Sequence, residues 1–174
     1  RGVSAQGAQR GAGRLNEAEF FTRLSEPAGP ELEKNLEQLV QQRIDGCPLA
    51  YLLGYKEFWG LTFWVNRSVL IPRPETELLV EKILTLPLPQ EPLILDVGTG
   101  SGNIAISLGK ELPSARIIAT DVSKRALRLA TVNARLNQVD NVRFTRSNLF
   151  EAFEPSQLTF DLIVSNPPYV AHND

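Results

Sequence analysis

Asn166-Pro167-Pro168-Tyr169 closes the apolar run 160–165, and its backbone offers hydrogen-bond acceptors with almost no donors. Neither proline has an N–H, and a residue preceding proline is driven into an extended conformation, so Asn166 and Pro167 hold their carbonyls out of any helix or turn. With the Asn166 side-chain oxygen, the corner can receive both N–H bonds of a planar –NH2 group and leave the nitrogen lone pair aimed at an electrophile. The chemistry predicted is at an amino or amide nitrogen, with Asn166, Pro167, Pro168 and Tyr169 as catalytic and substrate-binding residues. A Pro-Pro pair alone marks a turn more often than an active site, so the reading depends on what lies upstream.

Upstream lies Leu93-Ile94-Leu95-Asp96-Val97-Gly98-Thr99-Gly100-Ser101-Gly102, followed by the apolar-periodic segment 103–108. A short apolar strand entering three alternate glycines and then a helix is the layout of a nucleotide-binding α/β unit. The spacing is G-x-G-x-G, because Asn103 stands where a dinucleotide fold would place its last glycine, and no Gly-Lys-Ser/Thr follows as a P-loop requires. Asp96, at the strand's end, would repel a pyrophosphate but can hold an ammonium group. S-adenosylmethionine carries an ammonium and no phosphate. Asp121 ends the next apolar segment, 19 residues past Gly102, where a carboxylate can accept both ribose hydroxyls of an adenosine. Ser123 is available to cap the following helix, which relieves Asp121 of that duty.

The elements that must position these residues alternate strand (93–97), helix (103–111), strand (116–120), helix (123–137), strand (142–145) and strand (160–165). Alternation of this kind predicts a parallel sheet with ligands at the carboxyl ends of its strands. Asp96, Asp121, Asn148 and Asn166 all fall at that end.

Together, 96–102, Asp121, Ser147-Asn148-Leu149-Phe150, Asn166-Pro167-Pro168-Tyr169 and the earlier Leu70-Ile71-Pro72-Arg73-Pro74-Glu75-Thr76-Glu77 resemble the HemK-type release factor glutamine methyltransferases, over residues 48–174. Asn-Pro-Pro-Tyr alone is shared with adenine-nitrogen and some RNA methyltransferases; the Pro-Arg-Pro-Glu-Thr-Glu segment narrows the choice. The resemblance implies a Rossmann-like class I methyltransferase core with a small N-terminal helical domain and a β-hairpin linker. It implies S-adenosyl-L-methionine as cofactor, held by Asp96, Gly98, Thr99, Gly100, Ser101, Gly102, Asp121, Asn148, Leu149 and Asn166. It implies as substrate the glutamine of the Gly-Gly-Gln loop in a peptide chain release factor. Two departures stand out. Asn148 replaces the family's usual acid, although its carbonyl oxygen can still accept from an adenine amino group. The family also continues for several strands and helices past Asp174, so the expected core is truncated after its fourth strand. Methylation of an exocyclic adenine amino group in DNA or RNA is the alternative reaction, and a non-catalytic fragment or binding module is the alternative of another class.

Composition agrees with a folded α/β chain: 174 residues, 43% hydrophobic, 22% charged, formal net charge −2. That balance does not favour a nucleic-acid binder, and Lys124, Arg125 and Arg128 read as the solvated face of a helix. One cysteine, Cys47, excludes an internal disulfide. His172 reads as a loop residue rather than a base. No Cys/His cluster supports a metal, and no run of 18 apolar residues predicts a membrane span. Residues 1–15 read as a disordered tail or processed leader, leaving a cytoplasmic location or an organelle stroma open. Residues 16–56 read as an N-terminal helical substrate-binding domain, with one helix beginning at Asn16 and another at Pro30. The apolar stripe of the second, Leu32, Leu36, Leu39, Val40 and Ile44, is expected to pack in a core. Residues 57–92 read as a hairpin around Gly60 with a further strand at 69–71, a helix from Pro74, and a proline-rich linker. Residues 93–174 read as the cofactor-binding domain.

Overall fold

A computed structural model describes residues 29–153 and 159–167 of the chain. The helix expected from Asn16, and Pro168, Tyr169 and His172, lie outside them. The chain divides into two compact units, Arg1–Pro48 and Leu49–Asp174.

In the first unit, α1 spans Pro30–Ile44. Proline at its first position, Glu31 and Glu33 in the first turn and Arg43 in the last suit the helix dipole. No residue of this helix is buried, and Leu32, Leu36, Leu39, Val40 and Ile44 are exposed. Among the described residues of this unit the core packing expected of that stripe is not observed, since one helix cannot enclose its own apolar face.

The second unit begins with the short helix α2 (Leu49–Leu53) and the antiparallel hairpin β1 (Tyr55–Phe58) and β2 (Leu61–Trp64). Phe58 and Phe63 are fully buried in the core and meet edge to face, ring centroids 6.1 Å apart. Each buried phenylalanine stabilises the fold by about 2 kcal/mol, so Phe58 and Phe63 serve packing. The predicted strand at 69–71 does not form. Asn66 instead closes a turn by accepting from the Ser68 N–H at 2.9 Å, and Pro72 and Pro74 remove donors that a ladder would need. Pro74–Thr76 forms a single 3-10 turn leading into α3 (Glu77–Leu84).

The remaining elements are β3 (Leu93–Val97), α4 (Asn103–Glu111), β4 (Arg116–Asp121), α5 (Lys124–Leu136), β5 (Val142–Arg146) and β6 (Leu162–Ser165). Among the described residues the sheet is four-stranded and wholly parallel, in the order β5-β4-β3-β6. The chain builds outward from β3 in one direction and then returns to its other side with β6, so the switch of direction falls at β3, where open α/β sheets bind ligands. Ile94, Ile104, Ile106, Leu108, Ile117 and Val164 share one core with Phe58, Phe63, Val80 and Ile83. Residues 57–92 are therefore built into this unit rather than strung between domains.

The outer edge of β2 is satisfied by side chains. Asn133 of α5, fully buried, accepts from the Trp64 N–H at 2.7 Å and donates to the Trp64 carbonyl at 3.0 Å, and Asn137 donates to the Thr62 carbonyl at 2.9 Å. Spaced four apart, the two asparagines lie on one face of the helix and stand in for a missing strand.

Candidate functional site

The strand register lays the site out in a line. Val97 lies opposite Thr120 on one side and Ser165 on the other, and Asp121 lies opposite Arg146. One residue past the last paired row, the carboxyl edge therefore presents Asn166, Gly98 and Asp121 side by side, with Ser147 beginning the next loop. Strands stand about 4.8 Å apart, so Asn166 and Asp121 are separated by about 10 Å.

The glycine loop is held from below and from beside. Gly98 and Thr99 both donate their N–H to the Thr120 carbonyl at 2.8 Å, Gly102 donates to the Thr99 carbonyl, and Asn133 donates to the Ser101 carbonyl at 2.8 Å. Asp121 Oδ2 accepts from the Gly100 N–H at 3.0 Å, and Oδ1 accepts from the Ser123 N–H at 2.8 Å. Each carboxylate oxygen has two lone pairs, so both keep capacity for a ligand hydroxyl. Ser123 caps α5 by accepting from the Ala126 N–H.

Asp96 sits under this loop, 0% exposed. Its Oδ2 accepts from the Thr99 hydroxyl at 2.6 Å, while its Oδ1 has no well-formed partner. Burial pushes its carboxyl up to about 6; the Thr99 hydroxyl and the nearby Ala105 N–H pull the other way, and Asp121 raises it slightly. Asp96 thus lies within the foundation of the loop, and it does not line the clefts above.

Two clefts open there. The larger, about 310 Å³, is walled by Val69, Leu70, Gly98, Asp121, Leu149 and Asn166, with Gly100 and Asn148 also on its lining. The smaller, about 40 Å³, lies between the 71–76 segment and the glycine loop and includes Arg73, Thr76, Thr99 and Ser101. Leu70, Gly98, Gly100 and Asn166 belong to both, so one continuous surface runs from Asn166 across the glycines to Asn148. Open space stands where a Cβ would project from Gly98 or Gly100, which leaves that stretch of backbone accessible to a ligand. Gly102 lines neither cleft.

At the far end, the buried Ser147 donates its hydroxyl to the Leu149 carbonyl at 2.8 Å and accepts from the Ala152 N–H at 3.1 Å. This clamp holds Leu149 in the left-handed region, φ +49°, with its side chain 61% exposed on the cleft lining. A branched side chain is strained there, and such strain persists where surroundings over-determine it. Asn148 donates its amide nitrogen to Glu151 Oε1 at 2.7 Å, which leaves its carbonyl oxygen as the group offered to the cleft. Asn148 and Leu149 together make one polar acceptor beside one apolar face.

At the near end, Asn166 Nδ2 donates to the Thr76 hydroxyl at 2.9 Å. Among the described residues Asn166 Oδ1 has no partner. Pro167 follows with no N–H. Thr76 belongs to the Pro-Arg-Pro-Glu-Thr-Glu segment but was not among the expected site residues, and it reaches Asn166 across 90 positions. Asn133 was legible in principle, as an amide set between Ala130 and Ala134 on the buried face of a helix. Arg125 and Arg128 are exposed on α5, where with Arg67 they line a separate open groove of about 640 Å³.

A family model described as "Methyltransferase small domain" matches residues 74–174, and one described as "PrmC N-terminal domain" matches residues 11–54. The release factor glutamine methyltransferase of Aliivibrio fischeri is 44% identical over 140 residues, covering 80% of this chain and 49% of that protein. That of Flavobacterium psychrophilum is 51% identical over 142 residues, covering 79% of this chain and 48% of the relative. The chain spans about half the length of these curated relatives. Among solved structures, the Pyrococcus abyssi tRNA (uracil-54, C5)-methyltransferase in complex with S-adenosyl-L-homocysteine superposes with a TM-score of 0.52 over 66% of this chain and 28% of that one. At 24% identity, that likeness speaks to the fold alone, a Rossmann-like class I methyltransferase architecture.

Proposed function

The chain belongs to the methyltransferase small domain family, and from that premise we propose that it methylates the side-chain amide nitrogen of a glutamine in a peptide chain release factor, with S-adenosylmethionine as donor. The choice of substrate is supported by the relatives named for that reaction. The chemistry is supported by one observation above the rest: Asn166 is tethered through its amide nitrogen, which leaves its carbonyl oxygen to the cleft beside the exposed glycine backbone.

The residues present fit the cofactor. Gly98 and Gly100 leave room for close approach, Asp121 retains acceptor capacity for two ribose hydroxyls, and Asn148 with Leu149 offers an acceptor and an apolar wall for an adenine. When bound, S-adenosylmethionine supplies an electrophilic methyl group on a sulfonium sulfur. Asn166 Oδ1 and the Pro167 carbonyl would accept the two N–H bonds of the substrate amide, orienting its nitrogen. An amide nitrogen is a poor nucleophile, so these acceptors must also stabilise the positive charge that develops on it, and preorganised groups of this kind are worth about 3–4 kcal/mol. Pro168 and Tyr169 are proposed to complete the wall of this pocket. The protein substrate would place the reaction in the cytoplasm or in an organelle stroma.

The test is methyl transfer from labelled S-adenosylmethionine by the full-length protein to a release factor, with adenine-containing DNA and RNA in parallel. Label on the release factor, lost when its glutamine is replaced, is the expected outcome; label on nucleic acid alone would overturn the proposal. Replacing Asn166 by Ala should lower turnover about 10²- to 10³-fold while cofactor affinity stays within about threefold. Equal loss of both would make Asn166 a structural residue.

A further inference from the structure

We infer that Thr76 is the positioning residue of this site: its hydroxyl anchors the Asn166 side-chain amide beside the glycine loop, where the amide's other end can meet the substrate. The inference rests on the nitrogen-acceptor reading above.

An asparagine side chain has two nearly isosteric ends of opposite polarity, a carbonyl that accepts and an amino group that donates twice. An acceptor site for a substrate –NH2 works only with the carbonyl forward. With the amide reversed, donors would face donors. The side chain must therefore be held from the side away from the substrate, and a hydroxyl that accepts from the amino end can hold it there. Among the described residues the Asn166 side chain makes one hydrogen bond, from Nδ2 to Thr76 Oγ1 at 2.9 Å, which occupies one of its two N–H bonds and leaves Oδ1 as the unused acceptor.

Thr76 is well placed to act as an anchor. It is 7% exposed and ends a 3-10 turn whose first residue is Pro74, with Arg73 extended ahead of it as a residue before proline prefers. Its own N–H is tied to the Arg73 carbonyl at 3.0 Å. The backbone that carries the Thr76 hydroxyl is thus held in place. Thr76 also lines the smaller cleft together with Asn166, Gly98 and Gly100, so the anchor stands beside the same glycine backbone as the group it orients. Thr76 does not touch the substrate. It holds in place the side chain that does.

Valine is nearly isosteric with threonine and lacks the hydroxyl, while serine keeps the hydroxyl and loses the methyl. In the full-length protein with S-adenosylmethionine and a release factor, Thr76→Val should lower kcat about 10- to 100-fold, the effect of leaving a partly buried donor unpaired. Cofactor Kd should hold within about twofold. Thr76→Ser should restore kcat to within about threefold of the parent. Because Thr76 acts through Asn166, the double variant Thr76→Val/Asn166→Ala should be no slower than Asn166→Ala alone. A Thr76→Val protein that turns over like the parent, a Thr76→Ser protein as slow as Thr76→Val, or additive losses in the double variant would each overturn the inference.

Nitrogen-15 spectra of the Asn166 side-chain amide provide a readout independent of turnover. Its two protons should exchange unequally with solvent in the parent and in Thr76→Ser, and lose that inequality in Thr76→Val; equal behaviour in all three would also overturn the inference. If the parent does not methylate a release factor, the proposed function fails, and these spectra still decide whether Thr76 holds Asn166.

Discussion

The three glycines of the 98–102 loop share a left-handed backbone yet should fail in different ways when given a methyl group. All three have positive φ, +75° at Gly98, +56° at Gly100 and +83° at Gly102, so alanine costs about 1–2 kcal/mol of backbone strain at each. Surroundings separate them. A Cβ at Gly98 or Gly100 meets nothing within 4 Å, whereas at Gly102 it would come within 2.7 Å of Ile106 Cδ1 and 3.1 Å of the Ala130 Cβ. Ile106 is fully buried and cannot swing into solvent, and Ala130 has no rotamer to change. Overpacking of this kind adds about 1–3 kcal/mol, which brings Gly102→Ala to about 2–5 kcal/mol and leaves Gly98→Ala and Gly100→Ala near 1–2.

Urea unfolding measures the first quantity. With a slope of about 2 kcal/mol per molar, the Gly102→Ala midpoint should fall about 1 M below those of the other two variants. Calorimetric titration with S-adenosylmethionine measures the second. A methyl group on the cleft floor at Gly98 or Gly100 should weaken binding about 10- to 100-fold, the equivalent of about 1–3 kcal/mol. The folded fraction of Gly102→Ala should bind within about threefold of the parent. Equal midpoints for the three variants, or unimpaired binding by Gly98→Ala and Gly100→Ala, would refute the division into two ligand glycines and one packing glycine.

Other outcomes follow from single residues. Asp96 titrates near 6 in the folded chain against 3.8 ordinarily, so the folded state holds the extra proton between those values; its contribution is full below pH 3.8 and is lost as pH rises through 6, up to about 3 kcal/mol. Asp96→Asn should remove that fall in a urea series from pH 4 to 8, its carbonyl taking the Ala105 N–H and its amino group donating to Thr99. Asn133→Ala would strip partners from the Trp64 N–H, the Trp64 carbonyl and the Ser101 carbonyl, and should cost about 3 kcal/mol or more, against about 1 kcal/mol for Asn137→Ala in the same assay. Leu149→Gly should relieve left-handed strain and stabilise the fold by up to about 1 kcal/mol, while weakening cofactor binding by calorimetry through loss of an apolar wall.

The strands of the sheet and the helices α4 and α5 were legible because each is a short apolar run or a periodic one bounded by glycine, proline or a capping serine. What escaped depends on contacts far apart in sequence. Asp96 was expected to meet a ligand ammonium, yet β3 is a central strand with cover on both faces, and the alternation of its side chains turns Asp96 toward Thr99 and the first turn of α4. A one-dimensional pattern cannot say which face of a doubly covered strand a polar residue joins. Residues 69–71 are β-branched and apolar enough to read as a strand, but the Asn66 turn and the flanking prolines leave them no ladder to enter. Thr76 stood within the Pro-Arg-Pro-Glu-Thr-Glu segment, but its contact with Asn166 escaped because that partner lies 90 positions away.

The pairing of β3 with β6 explains how two motifs so distant in the chain come to line one cleft. Val97 opposite Ser165 fixes Gly98 beside Asn166 at the ordinary interstrand spacing of about 4.8 Å, and the Ser165 hydroxyl donates to the Val97 carbonyl at 2.8 Å in that last row. The distance from acceptor to glycine backbone is thus set by the sheet rather than by either loop. On the other side of β3 the same row carries Asp121, so the separation between the ends of the site is a whole number of strand spacings. A parallel sheet with its direction switch at β3 therefore both creates the cleft and measures out the positions along it, and Thr76 adds what a sheet cannot specify, an anchor for the Asn166 side chain.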